Sequence, residues 1–142
     1  MAYGVYVHIP FCQKKCAYCD FPSQVGTKAQ MAAYIAALCR EIEERGAAIA
    51  AHGTAATVYI GGGTPTALST SLLTRLLLTL KRTLPFSPEA EVTVEVNPGT
   101  VDLETLTALY TLGVTRLSVG AQSFSDRDRK STRLNSSHWL TS

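Results

Sequence analysis

The chain has no run of about 18 apolar residues, so it offers no membrane-spanning helix. Its first residues, "MAYGVYVHIPFC", put no basic stretch before an apolar core, and no secretory signal is expected. An excess of one charge is also missing. Lys and Arg total 13 against 11 Asp and Glu, but Arg129, Lys130 and Arg133 all follow the last acid, Asp128. The ten bases ahead of them face 11 acids, and such a near-neutral body carries no electrostatic footprint for nucleic acid. No internal repeat is present. Cysteine is scarce and uneven: of four, three fall at Cys12, Cys16 and Cys19. That is not an even disulfide set. A cytoplasmic location is expected, where thiols stay reduced and clustered cysteines more often bind metal than pair.

What is present is a globular composition, with 142 residues and 46% hydrophobic, enough for one domain with its own core. Short apolar runs rich in β-branched and aromatic residues read as buried strands at Tyr3 to Ile9, Thr57 to Ile60, Glu91 to Val96 and Thr115 to Val119. Helical patterns separate them. Met31, Ile35, Leu38 and Ile42 share one face, with Gly53 as a stop. Leu73, Leu76, Leu77, Leu80 and Leu84 repeat the pattern, with Ser69 or Ser71 as cap and Pro85 as stop. Leu103, Leu106 and Tyr110 share a third face, with Thr100 as a candidate cap and Gly113 as stop. The order β-α-β-α-β-α-β implies an α/β fold with parallel strands and right-handed crossovers. A TIM-like barrel and a doubly wound sheet both fit. In either, binding groups gather at the C-terminal ends of the strands.

The three cysteines stand at such an end, in "FCQKKCAYCDF" after the first strand. Clustered thiolates suit a soft metal or an iron–sulfur cluster. Three thiolates on a [4Fe–4S] cube leave one iron open for an outside ligand. Lys14 and Lys15 between the ligands favour thiolate over thiol. Unrelated loop cysteines, or zinc with His8 or Asp20 as fourth ligand, are the alternatives. Cys39 lies inside the first helical pattern and reads as a buried, inert thiol.

The second strand ends in "GGGTPT", Gly61 to Thr66, neither a dinucleotide fingerprint nor a Walker loop. Its glycines permit close approach and positive φ, and are expected to free backbone N–H and C=O groups for a ligand. The plain alternative is a tight turn. Glu95 ends the third strand in "VEVNPG", where a carboxylate can accept bonds from an ammonium or from ribose hydroxyls. Gln122 follows the fourth in "GAQSF", offering donor and acceptor together. Glu91 is expected on the N-terminal side of its strand, away from the site.

Taken in order, "YVHIPFC", "GGGTPT", "VEVNPG" and "SVGAQSF" resemble the radical S-adenosylmethionine (SAM) family over residues 3 to about 128. Within it they are similar to the branch holding the HemW heme chaperones and the oxygen-independent coproporphyrinogen III oxidases. The resemblance implies the N-terminal part of a partial TIM-type barrel. It implies that Cys12, Cys16 and Cys19 ligate a [4Fe–4S] cluster whose open iron takes SAM. It assigns Tyr6 to the junction of SAM and cluster, and Gly62, Gly63 and Thr64 to the methionine end of SAM. Glu95 and Gln122 match polar SAM positions, and Tyr18 a residue shielding the cluster or packing near adenine. The implied chemistry is reductive cleavage of SAM to methionine and a 5′-deoxyadenosyl radical.

Coproporphyrinogen dehydrogenases carry a further cysteine that makes C-x-C after the third ligand. Here Cys19 is followed by Asp20, Phe21 and Pro22, which resembles the HemW-type proteins. Their implied role is to bind heme and deliver it to respiratory acceptor proteins. Oxidative decarboxylation of coproporphyrinogen is the runner-up, and a zinc-stabilised α/β module the distant third.

After "SFSDRD" the family pattern is lost. Residues 129–142, "RKSTRLNSSHWLTS", resemble translated sequencing-adapter read-through and are expected to be foreign or disordered. The family's later strands and C-terminal domain are then missing, and the fragment is expected to be marginally stable and inactive alone. His138 and Trp139 receive no role.

Overall fold

The computed structural model describes residues 1–12, 26–99 and 101–119. Cys16, Tyr18, Cys19, Gln122, Thr100 and the segment 129–142 lie outside the described residues. The elements are β1 (Ala2–Ile9), α1 (Lys28–Ala50), β2 (Thr54–Gly62), α2 (Thr70–Thr83), β3 (Phe86–Val96), α3 (Leu103–Thr111) and β4 (Arg116–Val119). A short 3-10 turn, Pro65–Ala67, follows β2. The strands pair in the order β1-β2-β3-β4, all parallel.

Strand alternation divides the sheet into two faces. Val7, Ile9, Val58, Ile60, Val92, Val94 and Val96 point one way. They bury against Ile35, Cys39 and Ile42 of α1, Leu73, Leu76, Leu77 and Leu80 of α2, and Leu109 of α3, in one core. All three helices therefore cover the same face. Tyr6, His8, Thr57, Tyr59, Glu91, Thr93 and Glu95 alternate with the buried set and stand on the other face. Helices on one side of a sequentially ordered parallel sheet make a singly wound, barrel-type arrangement. The doubly wound option does not apply.

Local chemistry sets the helix ends. Thr27 Oγ1 accepts from the Gln30 amide at 3.1 Å, and the Gln30 side chain accepts from the Thr27 amide at 2.9 Å, a complete capping box. Ser69, not Ser71, caps α2 by accepting from the Leu72 amide at 3.2 Å. Cys39 is buried as expected.

The third helix departs from expectation. Asp102 is its cap, accepting from the Thr105 amide at 2.8 Å. Leu103 and Tyr110 are 78% and 81% exposed, while Thr105 and Leu109 are buried. The inward face is rotated because Leu106, Leu109 and Leu112 satisfy helical spacing as well as Leu103, Leu106 and Tyr110 do. Thr105 can occupy the contact with α2 because its hydroxyl shares a 2.9 Å hydrogen bond with that of Thr70.

Strands β2 and β3 also begin earlier than their apolar runs. Ala55 already pairs with Phe86 before the register shifts ahead of Thr57. The segment between, with Pro88 and Glu89, lacks the apolar signal that marks a strand.

Candidate functional site

Two loops leave the C-terminal edge of the sheet side by side. The Gly63 amide donates to the Ile9 carbonyl at 2.7 Å, and the Thr64 amide donates to the Phe11 carbonyl at 2.6 Å. Pro10 cannot donate, but its neighbours' carbonyls carry the pairing past it. The chain is thus held to the glycine loop up to the residue before Cys12. A Cβ on Gly63 would strike the Phe11 carbonyl and lie 3.2 Å from Cys12 Sγ. Gly62 has φ +115°, and a Cβ there would lie 2.7 Å from both His8 Nδ1 and the Ile9 carbonyl.

This pairing corrects one expectation. The Gly62, Gly63 and Thr64 amides are engaged by Glu95, Ile9 and Phe11, so the loop does not free these N–H groups. Their engagement locks the loop onto its neighbours. Carbonyl oxygens are what such a loop can present to an ammonium group.

Tyr34 of α1 secures the outer side of β1. Its hydroxyl donates to the His8 carbonyl at 2.5 Å, and its ring meets Phe11 edge-on at 5.5 Å and 88°. Apolar periodicity did not single it out, because Tyr34 precedes the core residue Ile35 and works through its hydroxyl.

Glu95 sits beside the glycine loop, as its strand-end position suggests. Its Oε1 accepts from the Gly62 amide at 2.9 Å. Burial raises its pKa, while the Gly62 amide, a polar contact with Tyr59 and the nearby His8 oppose the rise. Tyr59 stacks on Tyr6, with ring centroids 5.9 Å apart and planes at 16°. The Tyr6 hydroxyl lies 3.2 Å from His8 Nδ1. Burial, then the Glu95 charge, raises the Tyr6 pKa, so the phenol holds its proton.

Below this cluster, toward the N-terminal ends of the strands, Arg116 Nη1 and Glu91 Oε2 pair at 3.2 Å. With Thr57, Thr93 and Ser118 they line a polar pit of about 210 Å³. Glu91 is therefore away from the cysteine loop, as expected.

The structure thus brings together Cys12, Gly62, Gly63, Thr64, Glu95 and Tyr6. Among the described residues, no three His, Cys, Asp or Glu side chains converge as a metal-holding group. Sequence reasoning missed Tyr59. The signal was available in the alternation, which puts it with Gly61 on the face of Tyr6, His8 and Glu95. Among the described residues the donors are the Cys12 thiol beside Gly63, a ligand type for a soft metal, and the Glu95 carboxylate on the Gly62 amide, a partner type for an ammonium.

Comparison with known proteins agrees with this arrangement. Residues 6–140 match the model of the radical SAM superfamily. The chain is 37% identical over 135 residues to the heme chaperone HemW of Synechocystis sp., covering 89% of this chain and 31% of that protein. It is 40% identical over 127 residues to anaerobilin synthase of Escherichia coli O157:H7, covering 89% of this chain and 28% of that one. Among solved structures it resembles coproporphyrinogen III oxidase (HemN) from Escherichia coli. The TM-score is 0.79 at 31% identity, over 96% of this chain and 34% of the other. The chain spans about a third of the length of the relatives it matches. A strand-end thiol, a glycine loop bonded to the backbone just before it and a matching family model lead to one conclusion: the chain belongs to the radical SAM superfamily.

Proposed function

We propose that this chain carries the cofactor-binding portion of a HemW-like heme chaperone. In this reading Cys12, Cys16 and Cys19 hold a [4Fe–4S] cluster. Gly62, Gly63 and Thr64 receive the methionine end of SAM, with Tyr6, Tyr18, Glu95 and Gln122 around it. The observation that carries the reading is the pair of bonds from Gly63 to Ile9 and from Thr64 to Phe11, which holds the start of the cysteine loop against the glycine loop. When bound, the cluster supplies the electron for reductive cleavage of SAM.

The chain's own residues do the positioning. Gly63 leaves room for the Cys12 thiol, and the loop carbonyls attract an ammonium. Glu95 adds negative charge on the same edge. Heme, heme-acceptor respiratory proteins and a cytoplasmic location belong to the proposal. Among the described residues, no helix is long and apolar enough to cross a membrane.

The absence of C-x-C after Cys19 favours the chaperone over the oxidase reading. Identity does not separate them, since a HemW from Escherichia coli K12 and an anaerobic coproporphyrinogen III oxidase from Cereibacter sphaeroides both match at 38%. The test is made on the cluster-loaded full-length protein. Stable heme binding without turnover of coproporphyrinogen III supports the chaperone. SAM-dependent decarboxylation of coproporphyrinogen III overturns it in favour of the oxidase.

A further inference from the structure

We propose that Tyr59 is a positioning residue that holds the Glu95 carboxylate in place for SAM. The inference rests on the reading of Glu95 as a SAM contact.

Two geometric observations converge. A Cβ added to Gly61 would strike Glu95 Oε1 and lie 2.7 Å from Tyr59 Cε1, so both side chains meet over the same bare glycine. The Tyr59 ring is itself fixed by its stack on Tyr6. Glu95 is thus confined between the Gly62 amide, 2.9 Å from Oε1, and the Tyr59 hydroxyl.

The hydroxyl's hydrogen-bonding capacity fits this role. A phenol has one proton to donate and lone pairs to accept with. The Tyr59 hydroxyl has two polar neighbours, Glu95 and Ser118, the latter only 6% exposed. An ionised carboxylate only accepts, so a phenol between Glu95 and Ser118 gives its proton to Glu95 and has its lone pairs left for Ser118. Burial leads the causes that raise the Tyr59 pKa, so that proton is retained. The resulting order is Ser118 to Tyr59 to Glu95, met from the other side by Gly62. A charge-assisted bond of this kind fixes one side of a carboxylate and leaves the remaining lone pairs for an incoming ammonium.

Removing the Tyr59 hydroxyl has two consequences. The carboxylate gains rotamer freedom. It also loses one of the contacts that oppose the effect of its burial, so a larger fraction is protonated in mildly acidic solution. Among the described residues, Tyr6 and His8 from β1 and Tyr59 from β2 are the titratable groups facing Glu95. Arg116 and Glu91 form their own pair farther down the face.

The experiment is equilibrium dialysis of SAM against the cluster-loaded full-length protein, from mildly acidic to mildly basic pH. Wild type, Tyr59→Phe, Glu95→Gln and Ser118→Ala are compared at matched iron content. Tyr59→Phe is expected to weaken SAM binding about three- to tenfold, the range of one hydrogen bond. The loss should grow as pH falls, a dependence that mere loosening of the fold would not produce. Ser118→Ala should cause a smaller loss in the same direction. Wild-type affinity in Tyr59→Phe at every pH, with Glu95→Gln weakened, overturns the role of Tyr59 alone. Wild-type affinity in Glu95→Gln overturns the underlying reading of Glu95. Should Tyr59→Phe fail to load the cluster, Ser118→Ala decides: it leaves the ring in place, and unchanged affinity there overturns the proposal.

Discussion

The amide of Thr64 donates to the carbonyl of Phe11 at 2.6 Å, and this bond ties the glycine loop after β2 to the residue before Cys12. The two loops belong to different β-α units, yet they form one backbone-bonded edge. At Gly63 the contact leaves no room for a side chain.

Gly63→Ala should therefore separate them. The new Cβ would meet the Phe11 carbonyl, a backbone atom that cannot turn aside, and would crowd Cys12 Sγ. Overpacking of this kind costs about 1–3 kcal/mol. The variant should take up severalfold less iron and sulfide on anaerobic reconstitution while its circular dichroism stays close to wild type. Wild-type cluster content would contradict the geometry.

Tyr34→Phe keeps the ring against Phe11 but deletes the donor to the His8 carbonyl. Water can reach that carbonyl at the sheet edge, so the expected cost is that of a single net hydrogen bond, about 0.5–1.5 kcal/mol. The urea midpoint should fall with an unchanged slope. No shift would mean that the bond contributes nothing to holding the end of β1.

The rotated face of α3 separates two leucines six residues apart. Leu109→Ala removes a fully buried side chain and should cost about 2–5 kcal/mol. Leu103→Ala lies on the exposed side and should stay within about 0.5 kcal/mol of wild type. Reversal of that order in denaturant unfolding would restore the face expected from spacing.

Glu95 should leave a signature in the pH dependence of stability. Its folded pKa is raised, chiefly by burial, so the native state binds more protons than the unfolded chain between the ordinary glutamate range and the raised value. Stability therefore falls as pH rises through that window, and Glu95→Gln should remove that component. The check is unfolding free energy against pH for both proteins. Parallel curves would show that Glu95 is not perturbed by its surroundings.

Much of this arrangement was legible from residue order. Short apolar runs rich in β-branched and aromatic residues marked the strands, and helical spacing marked what lies between them. Strand-end position drew attention to Cys12, the glycine loop and Glu95. The rest depends on relations across strands. That Tyr59 meets Glu95 over Gly61 follows from parallel register, which neither strand encodes alone. The inward face of α3 was ambiguous because two leucine sets fit one helical period. Thr105 decided it through a hydroxyl pair with Thr70 that apolar counting does not see. The loop amides were expected to be free because glycines suggest open backbone. Neighbouring carbonyls and the Glu95 carboxylate had already claimed them.

The central claim is that the loop after β1 is a cluster site with one iron left for SAM. Anaerobic reconstitution with iron and sulfide, followed by electron paramagnetic resonance of the reduced protein with and without SAM, tests it directly. The expected result is about four iron and four sulfide per chain, a brown chromophore, and a spectrum that changes when SAM is added. Cys12→Ala should lose the cluster. One zinc per chain, no visible absorption and no response to SAM would contradict it.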